Sequence, residues 1–216
     1  MKSLKKILDE WKAGKVAGSV TMYRLLAPNV QLVQLWPEYK QGESIPADLL
    51  PRIIYLILED SQAAGAVEPQ EDNLRAVMLT QWRAKGLFSK AMKEVILPHI
   101  LQSKPLQRLQ LQRSEYGDRR VEQLKKMALS MGFILLKEDA EIRLVLDASK
   151  KKVTHFIGGK DQLLSPERKT AIRQELCYMA YRLLLIRSEM ELTEGVSYNS
   201  DAIGDIIRNL QYHTTS

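Results

Sequence analysis

A helix followed directly by short alternating strands, over residues 118–157, is the feature that most constrains the fold. The stretch DRRVEQLKKMALSM begins at Asp118, a residue type favoured at helix starts, and stops just before Gly132, a residue type favoured past helix ends. FILLK, EIRLVLD and KKVTHFI follow, with strand-like composition and short polar turns between them. A helix joined to a three-strand meander at 133–157 predicts a mixed α+β chain.

Helical patterns dominate the rest of the sequence. SVTMYRLL and NVQLVQLW, residues 19–26 and 29–36, predict one short strand pair with a turn at Pro28 and Asn29. Residues 104–117 fit either a strand or a helical turn. We therefore predict a helix-dominated α+β fold. Four further helices are predicted over MKSLKKILDEWK, IPADLLPRIIYLILEDSQ, EDNLRAVMLTQWRAKG and SKAMKEVILPHI. Two more are a long helix that begins at Ser165-Pro166 and a last helix around Ile203, Ile206, Ile207 and Leu210.

The run of small residues AAGAVEPQ, at 63–70, is expected to interrupt the chain at a domain boundary. An N-terminal portion, residues 1–65, would then hold the first helix, the strand pair and a buried helix over LLPRIIYLIL at 49–58. Residues 66–216 would form a helical domain that includes the meander. A single domain is the alternative, because 216 residues suit either arrangement.

Two of the predicted helices carry specific expectations about which side chains are buried. Pro98 should kink the helix at 89–101 or end it early, because proline has no N–H to donate. The apolar stripe of that helix comprises Met92, Val95, Ile96, His99 and Ile100. The predicted buried face of the long helix comprises Ile172, Leu176, Met179, Leu183 and Ile186.

Cysteine usage and hydropathy bear on the compartment. Cys177 is the one cysteine, so no disulfide within the chain can form, and no N-x-Ser/Thr sequon is present. Charges interrupt the N-terminal apolar run, unlike a secretory signal, and the apolar run at 49–58 is too short to span a bilayer. We expect an intracellular protein, cytoplasmic or nuclear, without a signal peptide or transmembrane span.

The positive charge is concentrated in two stretches. The chain has a net charge of +6, and residues 101–126 hold seven lysines and arginines against three acidic residues. Residues 150–187 hold nine against three. Such clusters favour binding to phosphates of nucleic acid or of a nucleoprotein assembly. The residues expected to do so are Lys104, Arg108, Arg113, Arg119, Arg120, Lys125, Lys126, Lys150, Lys151, Lys152, Lys169 and Arg173.

Residue patterns typical of catalysis are weak. His99, His155 and His213 are scattered and match no metal-site spacing, and Cys177 is expected to be a buried structural thiol. The Gly-Gly-Lys of FIGGKDQ, at 156–162, lacks the spacing of a phosphate loop. We therefore predict a non-enzymatic binding protein with no cofactor and no metal. A metal-dependent nuclease is the enzymatic alternative, and it would use Asp139, Glu141 and Asp147.

The segment RRVEQLKKMALSMGFILLKEDAEIRLVLD resembles the second half of a winged-helix domain, over residues 118–147. Met131-Gly132-Phe133-Ile134 resembles the exit of its recognition helix, and residues 135–146 resemble its two-stranded wing. The resemblance implies a helix that docks in the DNA major groove. It places Arg119, Arg120, Lys125 and Lys126 on or beside that helix, with Lys150, Lys151 and Lys152 near phosphates.

The opening helix supports a second function. Leu4, Ile7, Leu8 and Trp11 form one apolar stripe among lysines, as in helices that lie on anionic membranes or on partner proteins. MKSLKKIL, together with MALSMGFILLKEDAEIRLVLD, resembles parts of vesiculovirus-type rhabdovirus matrix proteins. This resemblance implies a peripheral membrane-associated or matrix-like structural protein. The partners expected overall are nucleic acid or nucleoprotein, a protein partner or a second copy, and an anionic membrane surface.

Overall fold

A computed structural model describes residues 3–14, 16–38, 49–71, 73–150 and 164–215. The chain forms two compact units, residues 1–158 and 159–216. More of the described residues lie in helices than in strands, so the predicted helix-dominated α+β class is confirmed. The division between units falls near residue 158, whereas residue 65, the expected boundary, lies inside a strand.

The first unit begins with a helix and an antiparallel sheet of five consecutive strands. The helix is α1 (Leu4–Lys12), and the strands lie in the order of the sequence. They are β1 (Ser19–Ala27), β2 (Val30–Pro37), β3 (Arg52–Glu59), β4 (Gln62–Pro69) and β5 (Leu74–Met78). The predicted strand pair is confirmed as β1 and β2, which turn at Pro28 and Asn29.

The predicted buried helix at 49–58 is wrong, because residues 52–59 form β3 in the middle of the sheet. Tyr55 and Ile57 point into one hydrophobic cluster, and Ile54 and Leu56 point into another on the opposite face. A strand buried on both faces shows no polar alternation, so its apolar run cannot be told from a buried helix by periodicity. Pairing with β2 and β4 decides in favour of the strand.

The expected break at 63–70 is also wrong, because these small residues form β4. Ala64, Ala66 and Val67 are fully buried between the neighbouring layers. At Gly65 an added Cβ would lie 2.8 Å from the Val77 carbonyl oxygen of β5, so the close approach of the two strands requires glycine. Small side chains here permit tight packing of the sheet.

The helix predicted at 71–86 is replaced by β5 and a single 3₁₀ turn, Thr80–Trp82. β5 pairs with β4 from Leu74 to Met78, and this pairing overrides the helical propensity of the segment. The next helical segment begins at Leu87, two residues before Ser89, where the predicted helix at 89–101 starts. Gly86 precedes it with a φ of 76°, a conformation in which glycine has no steric penalty.

Pro98 does not end the helix that contains it. The helical segment runs through α2 (Leu87–Ala91), a π turn (Met92–Ile96) and α3 (Leu97–Ser103). In the π turn, the Leu97 N–H donates to the Met92 carbonyl, five residues back. This wider turn precedes Pro98, where an ordinary α-helix would force the proline ring against the carbonyl of residue 94. The helix therefore continues to Ser103.

A second antiparallel sheet follows, with the strand order β6-β8-β7. Its elements are β6 (Leu106–Gln112), α4 (Arg113–Tyr116), α5 (Asp118–Ser130), β7 (Ile134–Glu138) and β8 (Glu141–Asp147). The predicted helix over 118–131 and the first two meander strands are confirmed. The third predicted strand, 151–157, lies outside the described residues, and β6 is the third strand of the described sheet. Residues 106–112 thus adopt the strand alternative.

One hydrophobic cluster connects the two sheets. Tyr55, Ile57 and Val67 of the first sheet pack with Leu144 and Leu146 of the second, together with the helices at 87–103 and 118–130. α1 covers the other face of the first sheet across β4 and β5. Leu4, Ile7 and Leu8 of α1 are buried there with Val33 and Leu35.

The second unit is a helical hairpin of α6 (Pro166–Glu194) and α7 (Tyr198–Thr215). The predicted start at Ser165 is confirmed, since its side chain accepts from the Arg168 N–H. Ala180 of α6 and Ile207 of α7 are buried. Part of the predicted buried face of α6 is wrong, because Met179 and Ile186 are exposed. The predicted residues Ile172, Leu176 and Leu183 are partly buried, on the same side as the buried Ala180.

We expect Leu8→Ala to lower the free energy of unfolding by about 3 kcal/mol, because Leu8 is completely buried and its loss leaves a cavity. Lys5→Ala, on the exposed side of the same helix, should change it by less than about 0.5 kcal/mol. Urea unfolding followed by circular dichroism measures both. Equal, small effects would show that α1 does not pack on the sheet.

Candidate functional site

Two of the twelve predicted phosphate-binding cations belong to a structural ion-pair cluster. The Arg113 guanidinium lies 3.0 Å from both Asp118 Oδ1 and Glu122 Oε1, and its Nε donates to the Asp139 carbonyl at 3.2 Å. These hydrogen bonds raise the pKa of Arg113 above its ordinary value. Lys125 forms an ion pair with Glu138 of β7. The cluster therefore joins α4 and α5 to the β7–β8 hairpin, and its cations are already engaged with carboxylates.

The other predicted cations are distributed over several elements. Arg119, Arg120 and Lys126 are exposed on α5, and Arg108 is exposed on β6. Lys104 is exposed just after α3. Lys150 ends a 3₁₀ turn, Ala148–Lys150, whereas Lys151 and Lys152 lie outside the described residues. Lys169 and Arg173 lie on α6 of the second unit. Of this set, the structure brings Arg119 and Arg120 together at one concave surface.

That concave surface begins as a cavity of about 350 Å³ between β5 and β6. Leu74 to Ala76 and Leu109 to Leu111 line it from the two strands, and Phe88 and Met92 line it from the helical segment. Arg75, Glu115, Tyr116 and Arg120 supply its charged and polar groups. The interior is thus mainly apolar, with few polar groups, as in small-molecule sites.

A single asparagine holds the two strands beside this cavity. Asn73 Nδ2 donates to the Gln110 carbonyl at 3.3 Å, and the Gln110 N–H donates to Asn73 Oδ1 at 3.1 Å. Gln107 Nε2 also donates to the Asn73 carbonyl at 3.3 Å. Among the described strands, β5 and β6 are each the last strand of their own sheet, and they do not pair as a ladder. The Gln110 N–H and carbonyl on the open edge of β6 are thus occupied by Asn73 and not by another strand.

A second concavity, of about 560 Å³, adjoins the first and is basic. It is lined by Arg83, Arg119 and Arg120 together with Asp118 and Gln123. Both concavities share Tyr116, Arg120 and Leu124, so they form one groove. We call it the β5–β6 groove, with an apolar inner part and a basic outer part.

The helical segment at 87–103 begins four residues after Arg83, which lines the basic outer part. No side chain caps its first turn, and no acidic residue lies there, so its N–H groups present the positive end of the helix dipole. Arg83 Nε donates to the Met78 carbonyl at 3.0 Å, which fixes the loop that leads into this helix. Lys85 lies 4.4 Å from the centre of the Trp82 ring. Two cations with defined contacts therefore lie in the loop that precedes this helix.

Sequence reasoning did not predict this groove. The stretch Arg83 to Gly86 was expected to be the last turn of a helix, whereas it precedes one. The sequence does contain a signal for this loop, because Arg83, Lys85 and Gly86 come directly before the apolar, helix-forming stretch at 87–97. Glycine at a helix start together with basic residues is typical of anion-binding loops.

The acidic residues of the nuclease alternative are not brought together. Asp139 forms an ion pair with Lys137 at 2.5 Å, and this contact lowers the pKa of Asp139. Glu141 lies 2.6 Å from Arg143. Asp147 is six residues further along β8, about 20 Å away at strand spacing. Within the described residues, no group of three His, Cys, Asp or Glu side chains is placed to hold a metal ion.

The apolar stripe of α1, expected to contact a membrane or a partner, faces the interior of the first unit. Leu4, Ile7 and Leu8 are buried against the sheet. Trp11 is partly buried and its ring packs edge-on to Tyr23, with centroids 6.2 Å apart. The stripe thus forms part of the core. Among the helices in the described part of the chain, none combines the length and hydrophobicity needed to cross a bilayer.

The cysteine and the histidines named in the sequence analysis lie in different parts of the protein. Cys177 is exposed on α6, so the expectation of a buried thiol is wrong; it lies outside the face that packs on α7. His155 and the stretch 156–162 lie outside the described residues. His213 lies in α7. His99 is partly buried, and its Nδ1 lies 2.8 Å from the Tyr55 hydroxyl.

Comparison with known proteins identifies no relative. No protein-family model matches the chain, and a search of curated proteins finds no significant match. α5, β7 and β8 follow one another in the order that the winged-helix resemblance implies, but both that resemblance and the matrix-protein resemblance stay predictions.

We expect His99 to make stability depend on pH. Burial and the nearby positive charge of Arg24 lower the pKa of His99 from its ordinary 6.5. The unfolded chain therefore binds the proton more readily, and this contribution to stability is present above pH 6.5 and is lost as the pH falls below it. Urea midpoints at pH 7.5 and 5.5 should differ less in His99→Gln than in the unaltered protein. An identical difference in both would exclude this role.

Proposed function

We propose that the first unit binds a small molecule with a phosphate-bearing head and a narrow extended arm in the β5–β6 groove. The observation that carries this proposal is the continuity of the groove. A basic outer part, lined by Arg83, Arg119 and Arg120, adjoins an apolar cavity between two strand edges. Nucleotide-linked group carriers of the coenzyme A type combine these two features in one ligand.

The basic outer part suits the head of such a ligand. Three guanidinium groups can each offer paired donors to phosphate oxygens. Asp118, the acidic residue at this surface, lies 3.0 Å from Arg113, which offsets its repulsion of an anion.

The inner part suits the arm. A cavity of about 350 Å³ lies at the small end of ligand sites, so it has room for a chain but little room for a bulky ring system. β5 and β6 line this space, each at the edge of its own sheet. The Gln110 N–H and carbonyl at the edge of β6 are bonded to Asn73. An extended arm would therefore be held by apolar contacts with residues such as Leu109, Phe88 and Met92.

A carrier of this kind implies group transfer as the class of activity, in contrast to the sequence-based expectation of a non-enzymatic protein. Glu115 and Tyr116 line the inner cavity beside Arg120. Burial and a hydrogen bond with Glu115 raise the pKa of Tyr116, and this hydrogen bond joins the two side chains at the cavity wall. An intracellular location, also expected from the single cysteine, is consistent with such a ligand.

We expect isothermal titration calorimetry to detect coenzyme A binding, and Arg120→Glu to weaken it at least tenfold, about 1.4 kcal/mol. Arg120 lines both parts of the groove. Lys126→Glu makes the same charge change on the same helix at a residue that lines neither part, and it should leave the affinity within twofold. Absence of binding, or equal losses in both variants, would refute the proposal.

A second variant separates the two parts of the groove. Ala76→Trp places a large side chain in the inner cavity and should abolish coenzyme A binding, while weak binding of inorganic pyrophosphate persists. If pyrophosphate and coenzyme A are affected alike, the arm does not enter the cavity.

Nucleic-acid binding is the second candidate function, and the exposure of Arg119, Arg120 and Lys126 on α5 favours it. Arg119 and Lys126 are seven residues apart and therefore lie on one side of the helix. Fluorescence anisotropy with labelled RNA and DNA across a salt series tests it. Lys126→Glu should weaken binding and reduce the salt slope by about one if this residue contacts a phosphate. The same variant should leave binding of the small ligand unchanged, so the two functions are distinguishable.

The membrane-associated alternative receives no support from α1, whose apolar stripe is buried.

A further inference from the structure

The second unit carries an exposed apolar seam along α6. Tyr178 is 63% exposed, Tyr181 55%, Leu185 44% and Leu192 87%. With Gln174 and Ser188 they follow one another at alternating steps of four and three residues, the spacing of a coiled-coil seam. Such a stripe on a helix is expected to pack against another helix.

α7 does not provide that helix, because it packs on a different side of α6. The buried residue Ala180 and the partly buried residues Leu176 and Leu183 mark the side that faces α7. Arg187 lies against Gly204 of α7, where an added Cβ would be 2.7 Å from its Nη1. At 100° per residue Arg187 is about 120° around the helix from Tyr181. The seam is therefore on the outer side of the hairpin.

Charges beside the seam indicate what covers it. Arg168, Glu175, Arg182 and Glu189 lie at intervals of seven residues along one flank, and their signs alternate. All four residues are exposed. In a coiled coil this flank faces the same flank of an antiparallel partner. When two copies of such a flank run in opposite directions, each positive residue of one copy can face a negative residue of the other.

We infer that α6 pairs antiparallel with α6 of a second copy of this chain, around a twofold axis near residues 179 and 180. In this register Tyr178 packs on Tyr181 of the second copy, and Gln174 packs on Leu185. Arg182 then faces Glu175 of the second copy, and Glu189 faces Arg168, so all four flanking pairs are attractive. On the other flank, Cys177 faces Leu184. Symmetry repeats each contact, as in a twofold dimer.

The same charges disfavour the neighbouring arrangements. A shift by seven residues in one direction sets Arg182 against Arg182 and Glu175 against Glu189. The opposite shift sets Glu175 against Glu175 and Arg168 against Arg182. A parallel pair sets these charges against Cys177 and Leu184, which offer no opposite charge. Like charges at close range cost free energy, so the flank selects one register as well as one orientation.

The register is tested by cysteine cross-linking in the full chain with Cys177→Ser. Gln174→Cys combined with Leu185→Cys should oxidise to a covalent dimer, because facing seam positions come within disulfide range. The two cysteines of one chain are 11 residues apart, about 16 Å, and cannot bridge each other. Each single variant should stay monomeric on a non-reducing gel. Gln174→Cys with Leu192→Cys reports the shifted register and should not cross-link.

A charge swap tests the flank without relying on cysteines. Arg182→Glu should raise the dimer dissociation constant at least tenfold in sedimentation velocity, because it places like charges together twice per dimer. Arg182→Glu with Glu175→Arg restores opposite charges and should recover the dimer. A monomer at tens of micromolar with no cross-link, or cross-linking by the 174 and 192 pair, would overturn the inference. Failure of the swap to restore association would also overturn it. None of these outcomes depends on the proposed ligand of the first unit.

Discussion

The architecture of the first unit depends on the way β5 and β6 meet. They are the last described strands of two sheets that share one hydrophobic cluster without sharing a hydrogen-bond ladder. Asn73 ties them at one point through its side chain and its carbonyl. A polar tie at one point, in place of a continuous ladder, thus joins the two sheets beside the cavity of about 350 Å³.

Cations that are close together in the sequence have different surroundings in the folded protein. Arg113 and Lys125 lie in the same basic stretch as Arg119 and Arg120, yet the first two pair with carboxylates of α5 and β7. The second two line a concave surface. Charge density along the chain therefore does not distinguish cations that pair with carboxylates from cations that line the candidate groove.

Elements bounded by clear turn or cap residues could be predicted from the sequence. The β1–β2 pair, α5 with β7 and β8, and the capped start of α6 are such elements. β3 could not be distinguished from a helix, because Ile54 to Ile57 are buried on both faces. β4 consists of small residues whose strand conformation is set by neighbours. The candidate groove was missed for the same reason, since placing β5 wrongly also misplaced the loop at 83–86.

The meeting of β5 and β6 also bears on how the protein avoids misassembly. An edge strand with unused backbone donors and acceptors is a template onto which a foreign strand can add. On the open edge of β6 the Gln110 N–H and carbonyl are bonded to Asn73, and the Arg108 carbonyl accepts from Gln107 Nε2. Side chains thereby occupy backbone groups with which a second polypeptide would otherwise pair, so the tie between the two sheets also protects against aggregation.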